Sequence, residues 1–224
     1  MSALWKVAAQ PGYQSGHLDE LPSRGDQMER RILAKVSRHR EVNIFGELSK
    51  ANLVLLENAT KQQPGHLYEE MACLVVAAFK HEAFINHLGF TVVPDWNRIE
   101  RSSHHKKLQC LAKHLRITID AKQRPFQTLE DLFAARNEIA HGKPSTLTQE
   151  GVVEEGTLEE LRRKKPLTKW EFLCTLEFAK QVYDDTEEIA TLLWARAGLD
   201  QAELRSRGHG YSIAEHRGKE PEES

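Results

Sequence analysis

Cysteine is scarce in this chain. Cys73, Cys110 and Cys174 are odd in number, widely spaced and set in helical patterns. Such spacing offers neither a disulfide framework nor paired zinc ligands, so buried thiols in a reducing compartment are expected. Long hydrophobic runs are missing too. No apolar stretch approaches the roughly 18 residues of a membrane-spanning helix, and Met1-Ser2-Ala3-Leu4-Trp5-Lys6 lacks the apolar centre of a signal peptide. The expectation is a cytoplasmic protein with no membrane partner. Charge of one sign is lacking as well: 31 Lys and Arg against 33 Asp and Glu leave a net −2. That excludes binding to nucleic acid by bulk attraction but leaves room for a local basic groove. There is no HExxH, no P-loop, no GxGxxG after a strand, no GxSxG and no internal repeat. Nucleotide-dependent and acyl-transfer chemistry therefore have no support. Histidines are plentiful, but His81 and His87 lie six residues apart and do not share a helix face, and His104, His105 and His114 fit no metal motif. No cofactor and no metal are expected.

The chain does have helical periodicity. Residues 1–25 mix Gly, Pro and Ser without a period and read as an extended arm. From Asp26 a capping-box pattern opens a stripe of Met28, Ile32, Leu33 and Val36, which predicts a helix to about Ser37. Leu48, Ala51, Asn52, Leu55 and Leu56 suit a helix, although Leu53–Leu56 would also suit a strand, so 42–58 stays open. After the break at Gln63-Pro64-Gly65, a helix is expected from Leu67 to Leu88, apolar nearly all round at Met71–Phe79 and ended by Gly89. Ser102 or Ser103 caps the next helix. Residues 144–167 form a polar connection, and Thr168 with Glu171 opens what reads as the longest helix, stopped by Gly198. Residues 199–224 lose periodicity and read as a polar tail. The fold expected is an all-α antiparallel bundle over 26–198 with flexible N- and C-terminal extensions.

One stretch stands out, Arg136-Asn137-Glu138-Ile139-Ala140-His141, closed by Gly142, Lys143 and Pro144. Thr128 with Asp131 has the form of a capping box, so a helix is expected to start there. Leu129, Leu132, Phe133, Arg136 and Ala140 share one face, which puts a fixed cation on the buried side. Such a charge must find a partner or line a cleft. Gly142 takes the usual place after a helix and Pro144 forbids continuation, which leaves His141 at the C-terminus. A basic stretch precedes the helix: Arg101, Lys106, Lys107, Lys113, Arg116, Lys122 and Arg124 against Asp120 alone. It reads as an RNA track or as a solvated helix face. Lys106, Lys107 and Lys143 are the candidate phosphate contacts. Glu82 and Asn86, one turn apart, read as an ordinary exposed helix face, with polar support beneath the motif as the rival reading.

Arg136-Asn137, three residues, His141 and Gly142 resemble the Arg-x4-His signature of the HEPN superfamily. The run Glu82-Ala83-Phe84-Ile85-Asn86-His87-Leu88-Gly89 resembles the long helix before that motif in bacterial members. The resemblance covers about 66–198. It implies a HEPN-type helical bundle, a homodimer with a composite cleft, and metal-independent endoribonuclease activity of the kind used in toxin–antitoxin and phage-defence systems. Arg136 and His141 would then be catalytic, with Asn137 assisting, and an antitoxin or regulatory partner is implied. In members paired with a nucleotidyltransferase antitoxin a tyrosine follows two positions after the histidine. Lys143 stands there instead, which counts against that pairing. HEPN domains also serve as non-catalytic interaction or scaffolding modules. A DNA-binding regulator lacks helix–turn–helix spacing.

Overall fold

The computed structural model describes residues 34–206 and 208–216. By compactness the chain divides into residues 38–212, which hold every described helix, and a second unit formed by 1–37 and 213–224. The expected extended arm, the start of the first expected helix and the end of the tail lie outside the described residues.

Within 38–212 the order is helical: α1 Ile44–Ala59, α2 His66–Val92, α3 His104–Leu115, α4 Phe126–His141, α5 Leu158–Arg163, α6 Lys169–Leu173 and α7 Leu176–Arg196, with a 3-10 turn at Trp96–Arg98. The open question at 42–58 resolves as helix. Asn43 caps α1 by accepting the Phe45 N–H, which satisfies one of the donors a helix start leaves unpaired. The longest helix is α2, at 27 residues, and α1, α3, α4 and α7 all pack on it. Cys73, Leu74, Ala77, Ala78, Phe84, Ile85 and Leu88 are buried along it. Each large apolar side chain removed from water contributes about 1.5–3 kcal/mol, so α2 is the principal source of cohesion. Asn52 ties α1 to it by donating to the Cys73 carbonyl at 2.9 Å. Lys80 ties it to α7, reaching Glu187 at 3.1 Å with its ammonium over the Tyr183 ring.

Several sequence expectations are corrected. Gly89 does not end α2; the helix runs on to Val92, and a Cβ at Gly89 would meet the Trp96 ring at 2.2 Å. The glycine is there so that a buried tryptophan can lie against the backbone. The helix expected from Thr168 is two. Its capping box forms, but Cys174 leaves helical geometry and the Thr175 hydroxyl accepts the Phe178 N–H, restarting the helix as α7. Helix was expected up to Ser37 and a polar tail after residue 198. Instead Ala34–Arg40 (β1) and Gly210–His216 (β2) are strands paired in one two-stranded sheet. Glu41 faces His209 and His39 stacks on Tyr211, so the register is antiparallel. The architecture is mostly helical with this one ribbon.

Candidate functional site

The motif helix α4 begins at Phe126, with Pro125 at its N-cap, and not at Thr128. Thr128 is fully buried, and its hydroxyl serves tertiary structure: it donates to Asp185 and accepts from Gln181 Nε2 at 2.9 Å. Arg124 completes this knot with two bonds to Asp185, from Nε at 2.9 Å and from a terminal nitrogen at 2.7 Å. These contacts fasten the start of α4 to α7.

Leu129, Leu132 and Phe133 are buried, Arg136 is half-buried, and Ala140 and His141 are exposed. The last turn of α4 therefore projects beyond the core, and the shared face expected to run to Ala140 is covered only as far as Arg136. Gly142 follows the helix with φ −54°, outside the left-handed region. Its reason is space, since a Cβ there would come within 2.9 Å of the Glu138 carbonyl oxygen.

Arg136 is held from three sides. One terminal nitrogen donates to Asn137 Oδ1 at 2.8 Å, the other lies 3.5 Å from Glu82 Oε2, and the guanidinium carbon sits 5.7 Å from the centre of the Phe79 ring. Its Nε is buried without a hydrogen-bond partner among the described residues. Glu82 also faces Lys107 Nζ at 3.8 Å, and Lys107 donates to Asn86 Oδ1 at 3.3 Å. Of the two readings of Glu82 and Asn86, polar support beneath the motif is the one that fits these distances. Lys107 is buried to 3% exposure, and so is not placed to touch RNA; its ammonium is spent on Glu82 and Asn86. Lys106 and Lys143 are exposed. Arg124 and Lys107 both face internal carboxylates, which thins the basic track read from the sequence.

Behind this cluster lie His81 and His104, which the sequence offers as surface or core histidines and not as metal ligands. The His104 ring stacks on Phe133 with centroids 3.6 Å apart, and His81 meets the same ring edge-on at 5.9 Å. Burial pushes the His81 pKa down to about 3, helped by the positive sides of His104, Lys80 and Lys107. Burial also lowers His104. Both rings are therefore neutral packing elements at neutral pH. His81 has no hydrogen-bond partner on either ring nitrogen among the described residues. Phe133 is one turn before Arg136, so these rings fix the height of the helix face that carries the guanidinium.

The structure thus brings together Arg136, Asn137, Glu82, Asn86 and Lys107, from α2, α3 and α4. It does not bring His141 to them within one chain: the imidazole makes no hydrogen bond or ion pair among the described residues. Five residues at about 100° each place Arg136 and His141 roughly 140° apart around the axis. No group of three or more His, Cys, Asp or Glu among the described residues is placed to hold a metal ion. No helix among them is long and apolar enough to cross a membrane. Protein-family models, curated proteins and solved structures give no match to this chain.

Proposed function

We propose that the protein is a metal-independent endoribonuclease of HEPN type, working as a homodimer whose two α4 helices share one cleft. The observation that carries this is the state of Arg136. It is oriented by Glu82, Asn137 and Phe79 yet, among the described residues, gripped tightly by no carboxylate, and it lies on the same helix as an exposed His141 that makes no hydrogen bond or ion pair among them. RNA brings its own nucleophile. The 2′-hydroxyl loses its proton to a base and attacks the adjacent phosphorus, and the bond to the 5′-oxygen breaks as that oxygen takes up a proton. One P–O bond forms and one breaks, giving a 2′,3′-cyclic phosphate and a 5′-hydroxyl. Histidine suits the proton transfers because it titrates near neutrality. Arginine suits the phosphorane because its planar fork meets two phosphate oxygens and keeps its charge. A two-fold axis would bring His141 of one protomer toward Arg136 of the other, closing the gap that one helix leaves. Cytoplasmic RNA would be the substrate, and Lys106 and Lys143 its flanking phosphate contacts.

The test is purified protein and His141→Ala incubated with single-stranded and structured RNA in EDTA. Cleavage by wild type should exceed the variant by about 10²–10⁴, the range of a lost proton-transfer group, with both proteins dimeric in solution. Equal behaviour of the two proteins would sink the enzyme reading. It would favour a helical interaction module, for which an open apolar groove of about 660 Å³, lined by Leu67, Leu167, Phe172, Leu173 and Phe178 among others, is the natural binding face.

A further inference from the structure

Lys107 was expected to contact RNA and instead lies buried beneath Glu82. We propose that Glu82 and Lys107 form a charge-balanced latch that sets the position of Arg136, so that Lys107 acts on RNA through Glu82 without touching it. The latch rests on the ribonuclease reading for its purpose, but its mechanics are a property of the free protein.

One carboxylate is shared between two cations: Oε2 faces Arg136 at 3.5 Å, Oε1 faces Lys107 at 3.8 Å, and the side chains are 24% exposed for Arg136, 29% for Glu82 and 4% for Lys107. A tight charge-assisted bond runs about 2.7–2.9 Å, so neither contact is one. Arg136 can therefore be recruited by a phosphate at small cost. When it leaves, Glu82 keeps a counter-charge in Lys107, and Lys107 keeps Glu82 and Asn86, so no buried charge is stranded. Without Lys107, the full charge of Glu82 would fall on Arg136, and the loose contact would tighten into a fork that a phosphate must compete with. Without the Glu82 charge, Arg136 would lose its aim while meeting less local competition for a phosphate. A purely structural ion pair does not need this looseness, and Arg124, just before α4, shows the closed form with Asp185 of α7.

The test uses the full chain as wild type, Lys107→Met, Glu82→Gln and the double variant, with Arg136→Ala as control. Binding is measured by fluorescence anisotropy with a labelled 2′-O-methyl oligouridylate, which cannot be cleaved, and chemistry by single-turnover cleavage of the unmodified strand. Lys107→Met should weaken binding about tenfold, and the double variant should recover to within about threefold of wild type. Glu82→Gln should bind about threefold tighter yet cleave about tenfold slower, a split that mere loss of folding cannot produce. The same latch is read without RNA by the NMR signal of the Arg136 Nε–Hε group: rotation about its Nε–Cζ bond should be slower in Lys107→Met than in wild type. A double variant no better than Lys107→Met, or equal rotation rates, overturns the latch. Should Lys107→Met fail to fold, Glu82→Gln decides: unchanged binding and rate overturn it. Wild type that binds without cleaving, or does neither, removes the ribonuclease reading and leaves the rotation rates to judge the latch.

Discussion

Just before α4, Arg124 meets Asp185 with two bonds of 2.9 and 2.7 Å, and the Thr128 hydroxyl and Gln181 amide complete the network. Ten residues into α4, Arg136 stands 3.5 Å from a carboxylate that it shares with Lys107, and its Nε has no partner among the described residues. The chemistry is the same guanidinium and carboxylate, held to different standards. A buried acceptor such as Asp185 must be satisfied or the fold loses stability. An arginine kept half-satisfied gains nothing for the fold, and is what a site that must engage an outside anion requires. The difference separates a closed anchor at the start of α4 from a loosely held guanidinium near its end.

Three measurements would sharpen or break that contrast. The largest effect is expected at the anchored end. Asp185→Ala should lower stability by about 2–3 kcal/mol, because it leaves the buried Thr128 hydroxyl without its acceptor. The exposed Arg124 contributes little to that loss, since water screens it. Urea denaturation would read it, and a cost below that of a typical surface substitution would undo the distinction.

The second effect lies under the looser end. The His81 pKa is depressed from 6.5 to about 3, chiefly by burial. Between those values the unfolded chain carries a proton at this position and the folded chain does not, so stability is intact above pH 6.5 and falls as pH falls. By pH 5 the loss from this residue should reach about 2 kcal/mol, at 1.36 kcal/mol per unit. Thermal melts of wild type and His81→Leu across this range should diverge toward acid, with the leucine protein the flatter. Parallel curves would show that the ring takes up protons freely.

The smallest effect is expected at Arg136 itself. Arg136→Ala should change folding stability by under about 1 kcal/mol, because Glu82 retains Lys107. A loss as large as that of Asp185→Ala would make both ends anchors.

Much of the helical frame was legible in the sequence because it rests on local signals. Ser103 and Thr168, read as caps from the sequence, do cap helices, while the caps Asn43 and Thr157 were not read there. The extent of the motif helix past Arg136 was legible from Gly142 and Pro144. The ribbon was not. Ala34–Arg40 has no alternating apolar pattern, and its strand exists only because residues some 170 positions later pair with it. Gly89 and Thr128 carry the signals of a helix stop and a cap, but a tryptophan ring and an aspartate from elsewhere decide their use. Lys107 was misplaced for a similar reason. Sequence supplies its charge, while its burial depends on which turn of α3 faces α2. Of the residues that the structure brings together, Arg136 and Asn137 were singled out in the sequence, whereas Glu82 and Asn86 read there more readily as an exposed face. The packing of His81 and His104 around Phe133 gave no signal a chain reading could catch.

The two strands run antiparallel with Arg40 beside Gly210, so residues 34 and 216 lie at the same end of the ladder. A pull applied between residues 34 and 216 would load the rungs of that ladder one after another, as in a zip.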